Sequence, residues 1–144
     1  LRIRGAVAAF VLTAGLAAGA GPAHAGTTEA AAFTQFVGES TNRASSGSVW
    51  YEYRKRSDGW YDISVDDPRS ADEWPHDGYG SILMVIYDTP TSSGGGYVLA
   101  QNQDMGDDAG PGFTKSKVKN AYFQICNRSD NLGTWYSCGR LHKK

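Results

Sequence analysis

The chain has 144 residues, 14 basic and 15 acidic side chains, a net charge of −1 and two cysteines. One domain of this size can bury a hydrophobic core without a dense disulfide framework. A near-neutral balance argues against general binding to nucleic acid or to an anionic membrane surface.

The first 25 residues read as an export leader. Arg2 and Arg4 precede an apolar run from Ala6 to Ala20, Pro22 breaks it, and Ala23-His24-Ala25 offers a small-x-small cleavage site. That order is the n-region, h-region and cleavage site of a secretory signal peptide. The run is shorter than the roughly 20 apolar residues that a spanning helix needs. The expected product is secreted, cleaved after Ala25, begins at Gly26 and carries no membrane anchor. Without the leader's two arginines, twelve bases face fifteen acids.

Residues 26–47 are mostly Ala, Ser, Thr and Gly, an N-terminal arm and linker ahead of a β-domain over 48–144. Phe33, Phe36 and Val37 have i, i+3, i+4 spacing. This allows a short helix from Thr28 to Val37, or else an extended arm along a sheet. Ala44 to Ser48 reads as linker.

A hairpin follows whose register the residues specify. Val49, Tyr51 and Tyr53 alternate with Trp50, Glu52 and Arg54; Tyr61, Ile63 and Val65 alternate with Trp60, Asp62 and Ser64. Ser57-Asp58-Gly59 suits a three-residue loop with Gly59 at positive φ. Closure there sets Tyr53 opposite Ile63, Tyr51 opposite Val65 and Arg54 opposite Asp62. One face is then aromatic and aliphatic, and the other carries an ion pair and an Arg56–Trp60 contact.

Ile82 to Tyr87 is apolar throughout, which suits a central strand. Ser92 to Gly96 reads as a flexible connection to the strand Tyr97–Gln101, and Asn102 to Gly112 as a Gly/Asp-rich loop. Lys117 to Asn127 is the last long strand. In an exported chain the pair Cys126 and Cys138 reads as a disulfide, which sets Phe123 opposite Leu141 and Gln124 opposite Arg140. Short strands with turn signals between them predict an all-β, antiparallel sandwich or small barrel.

The stretch Tyr122 to Arg140 (YFQICNRSDNLGTWYSCGR), behind the Ala-rich leader, resembles the short secreted proteins of actinobacteria. In these a final strand bearing Val/Ile-Cys pairs with a nearby Cys-Gly. The resemblance covers the leader and the last third of the chain. It implies compartment and fold class, and no activity.

Charge is unevenly spread. Asp58 to Asp108 holds eleven acids and one base, Arg69, whereas Pro111 to Lys144 holds seven bases and one acid, Asp130. The halves can neutralise each other, or Lys115, Lys117, Lys119, Lys143 and Lys144 can form a face for an anionic wall polymer. Alternation would put Lys115, Lys117 and Lys119 on one side of a strand. No nucleophile motif surrounds the mature histidines, His76 and His142. The pairs Asp66-Asp67, Asp72-Glu73 and Asp107-Asp108 leave open a small secreted hydrolase with loop carboxylates. Asn102, Asp104, Asp107 and Asp108 offer hard oxygen ligands that suit Ca²⁺, although turns favour the same residues.

Tryptophans carry the main binding signal. Trp50 and Trp60 fall on the hairpin's polar face, Trp74 in a Pro/His/Asp loop and Trp135 inside the disulfide loop. Exposed indoles stack on sugar rings or anchor protein contacts. The sequence therefore leads to a non-catalytic module for a cell-envelope glycan or an extracellular protein. A hydrolase and a toxin-like effector are the alternatives.

Overall fold

The hairpin closed by Ser57-Asp58-Gly59 forms in the register set out above. In the computed structural model, which describes residues 32–74, 78–103, 106–129 and 133–144, all regular elements are strands. They are β1 (Thr34–Glu39), β2 (Ser45–Lys55), β3 (Tyr61–Asp72), β4 (Tyr79–Thr89), β5 (Ser92–Asn102), β6 (Gly106–Ala109), β7 (Phe113–Ser129), β8 (Thr134–Arg140) and β9 (His142–Lys143). Pairing is antiparallel in the order β5-β4-β7-β3-β2-β1-β9, with β6 added to β3 and β8 to β7. The leader and its cleavage site lie outside the described residues.

Tyr53 pairs with Ile63, Tyr51 with Val65 and Arg54 with Asp62. Gly59 has φ +78°, and Arg56 N donates to Trp60 O at 2.9 Å. The ion pair differs from expectation. Asp62 is held by Arg56 at 3.1 Å, while Arg54 lies 3.9 Å from Glu52. Arg56 also bonds Asp58 of the turn, and that second carboxylate draws it across.

β7 folds the sheet into two layers. Its first residues pair with β3 (Phe113 with Val65, Val118 with Tyr61), and its later ones with β4 and β8. Around the change of partner, Lys117 and Asn120 take φ of +57° and +53°, and the register slips opposite Tyr61–Ile63. Such a bulge bends and twists a strand, so one strand can serve two layers. It also breaks the expected alternation of Lys115, Lys117 and Lys119. Val49, Ile63 and Val65 from β2 and β3 then pack with Leu83 and Val85 of β4, Leu99 of β5, and Val118, Phe123 and Ile125 of β7. Each large side chain buried this way contributes roughly 1.5–3 kcal/mol. β4 is apolar on its other face too, where Ile82 and Met84 meet Cys126.

The last strands hold the β1 end of the sheet to β7. Gln124 pairs with Arg140, Leu141 N donates to Phe123 O at 3.1 Å, and Cys126 is bonded to Cys138, all as the sequence led us to expect. Beyond Leu141 the chain pairs with β1, His142 with Val37 and Lys143 with Phe36.

Of the helix and the extended arm that the sequence allowed before residue 38, the described residues take the extended form, and three further segments differ from expectation. Thr34–Glu39 is a strand and not part of a helix; its backbone finds partners in both β2 and β9, and Phe36 packs 5.7 Å from Tyr51 and 5.8 Å from Phe123. Ser45 to Ser48 opens β2 and is no linker. A Cβ on Gly47 would lie 3.2 Å from Leu83 and 3.3 Å from Ile125, so small residues sit there because the opposite layer comes close. Ser92 to Gly96 is the paired first half of β5, turning tightly from Thr89 to Ser92. Within the expected loop Asn102–Gly112, residues 106–109 form β6 on β3.

Candidate functional site

The outward face of β1, β2, β3 and β6 carries a shallow groove of about 520 Å³. Its floor follows from cross-strand pairing. Val37, Ser48 and Arg69 form one row, and Glu39, Ser46, Ala71 and Asp107 the next. Paired residues share a face of a sheet, so a row of Ser and Ala leaves a trough between larger neighbours.

Arg69 is the fixed centre of this face. Its Nε donates to both carboxylate oxygens of Asp67 at 3.1 Å, and Nη1 donates to Asp107 Oδ2 at 3.1 Å. The hydrogen bonds from Asp67 and Asp107 raise the arginine's pKa further. Asp67 has φ +42°, and the β2–β3 register shifts there between the Ser48 and Trp50 pairs. That local backbone turns the carboxylate to meet an arginine two residues on. Ser46 donates to Glu73 at the neighbouring edge.

Trp50 lies just outside the groove's lining, on the same face of β2 as Ser48. It is the next outward residue of β2 after Ser48, pairs with Gln35 and Asp66, and is 41% exposed. An exposed indole offers a stacking surface. Beside it, Arg69 keeps donors beyond those used by Asp67 and Asp107, and the carboxylates keep lone pairs. The arrangement suits a ligand with an apolar ring face and many hydroxyls.

No protein-family model, no curated protein and no solved structure matches this chain. Its site is therefore read from its own geometry.

The four tryptophans do not converge. Trp60 is half-buried beside the hairpin turn, its ring under the Lys119 ammonium at 4.5 Å. Trp74 is exposed just past β3, its backbone N donating to Asp72 Oδ1 at 3.1 Å. Trp135 is exposed on β8 opposite Arg128, next to Tyr136, whose ring lies 5.7 Å from that of Tyr79. None of the four lines the groove; Trp50 follows the groove-lining Ser48 on the outward face of β2.

The proposed Ca²⁺ ligands are scattered. Asn102 is buried at the end of β5, Asp107 is engaged by Arg69, and Asp108 lies on the opposite side of β6 from Asp107; Asp104 lies outside the described residues. Among the described residues no three His, Cys, Asp or Glu side chains are grouped to hold a metal ion.

Two features escaped the sequence reading. Arg69 was legible only as the single base in an acidic stretch, and nothing local paired it with Asp107, 38 residues on. The other is a buried polar layer, where Ser45 Oγ donates to Asn127 at 3.0 Å and Ser70 Oγ meets Ser81 Oγ at 2.7 Å. Ser45 and Asn127 are 82 residues apart, and the two serines, 11 apart, lie on different strands with nothing local to pair them.

Proposed function

We propose that this protein is a secreted, non-catalytic binding module that takes an envelope glycan, rich in hydroxyls and uncharged, in the Trp50–Arg69 groove. The observations that carry this reading are a small-residue groove lined by an arginine that two carboxylates clamp, and an exposed indole two residues along β2 from the groove-lining Ser48. Export rests on the leader, and the Cys126–Cys138 bond is consistent with it. The resemblance of the chain's end to secreted actinobacterial proteins points to the same compartment. An open, shallow site suits the side of a polymer better than a small enclosed substrate.

The test is isothermal titration against a panel of soluble cell-wall oligosaccharides, with a pull-down on isolated walls. Trp50→Ala should weaken binding about tenfold or more, the loss of one stacking contact, and leave a native spectrum. Binding unchanged by Trp50→Ala, or cleavage of a panel member, would refute the proposal.

A further inference from the structure

A second aromatic constellation lies away from the Trp50 groove. Tyr51 packs into the core edge, 5.0 Å from Phe123 and 5.7 Å from Phe36. Tyr53 stacks on it at 5.8 Å and meets Tyr61 edge-on at 5.5 Å. Core packing explains Tyr51, which is half-buried; it does not explain Tyr53, which is 60% exposed. Burial, then the neighbouring phenols of Tyr53 and Tyr61, push the Tyr51 hydroxyl up to about 12, so it stays a neutral donor.

A cleft opens on each side of this pair. One, about 310 Å³, runs between Tyr53, Tyr61 and Val118 to Lys119 and Asn120 on the β7 bulge. The other, about 350 Å³, runs from Tyr53 past Phe36 to Lys143. Each is near the lower limit for ligand clefts, ~300 Å³. Lys119 lines the first cleft, and its ammonium lies 4.5 Å from the Trp60 ring. Lys143 is set by its pairing with Phe36, and Lys144 follows with its N–H on Gln35 O. Among the described residues the one acid bordering the clefts, Glu52, lies 3.9 Å from Arg54. Two cations thus flank an exposed ring, one in each cleft.

We infer that the Tyr51–Tyr53 shelf is a separate binding site for an acidic glycan, one ring lying on Tyr53 and carboxylates of successive residues reaching Lys119 and Lys143. Stacking selects a ring face, and the two ammoniums select charge on both sides of it. The inference shares ligand class with the preceding proposal but none of its residues, and Trp50→Ala separates the two.

The probe is tetragalacturonate, with its methyl ester as the uncharged counterpart of the same rings, titrated by NMR. The acid form should shift the amides of Tyr53, Lys119 and Lys143, weaken as salt rises from about 0.05 to 0.5 M, and bind about tenfold more tightly than the ester. Tyr53→Ala and the double change Lys119→Ala with Lys143→Ala should each cost about tenfold, while Tyr53→Phe, which keeps the ring, and Trp50→Ala should cost little. Equal binding of acid and ester, binding indifferent to Tyr53→Ala in a protein with a native amide spectrum, loss of binding in Tyr53→Phe, or no shift at millimolar probe would each overturn the inference.

Discussion

Gly139→Ala tests how the C-terminal strands are seated. A Cβ at this position would fall 1.9 Å from the carbonyl oxygen of Glu39, a backbone atom that no side-chain rotation can move aside. The strand must retreat by about 1.5 Å to reach ordinary contact. Nearby, Thr41 N donates to Ser137 O at 2.8 Å and Lys144 N to Gln35 O at 3.0 Å, and His142 pairs with Val37. Losing about three such bonds costs about 1 kcal/mol each. Partial exposure of Leu141, now 6% exposed, adds about 1 kcal/mol. The sum, about 4 kcal/mol, is a large share of the roughly 5–15 kcal/mol that holds a domain together. Urea unfolding of the oxidised protein, followed by tryptophan fluorescence, measures it. Hydrogen exchange should show lost protection at Val37 and Leu141, while residues of the β4–β5 hairpin stay protected. Gly95→Ala is the control, since its Cβ would meet nothing nearer than 3.5 Å, and it should fall within about 0.5 kcal/mol of the parent. If Gly139→Ala also unfolds within about 1 kcal/mol of the parent, the last strands do not lie against β1.

Replacing Cys126 and Cys138 together by serine should lower stability by about 3 kcal/mol, because the bond closes a short loop of separation 12 in the unfolded chain; an unchanged urea midpoint would refute this. Asp88 accepts from Asn120 Nδ2 and Gly94 N, both at 2.7 Å. Those bonds, Asn120's first, hold its carboxyl below the ordinary 3.8. A depressed folded value stabilises above the unfolded pKa and is lost as pH falls through the folded one. The stability gap between the parent and Asp88→Asn should therefore be full near neutral pH and shrink below pH ~4; a gap that holds or widens in acid would be the wrong sign.

The hairpin was legible because its information is local. Ser57-Asp58-Gly59 dictates the turn, and the alternation of Tyr51, Tyr53, Ile63 and Val65 then fixes every pairing, since a one-residue slip would turn the apolar set outward. Ile82 to Tyr87 announced a strand covered on both faces, and the cysteine pair fixed the register of the end of the chain. Small polar segments carried no such signal. Ser45 to Ser48 and Ser92 to Gly96 have the composition of linkers, and they are strands because neighbouring strands supply backbone partners; at Gly47 the opposite layer also leaves room only for a small residue. Phe36 joined the sheet for the same reason, against its helical spacing. The bulge at Lys117 and Asn120 decided that the lysines would not line up and that β7 would serve two layers. The sequence by itself determined the strands with strong period-two patterns, their turn and the disulfide. Tertiary structure decided which exposed side chains meet, Arg69 with Asp107 and Tyr53 between Lys119 and Lys143, because those partners are brought together only when distant strands pair.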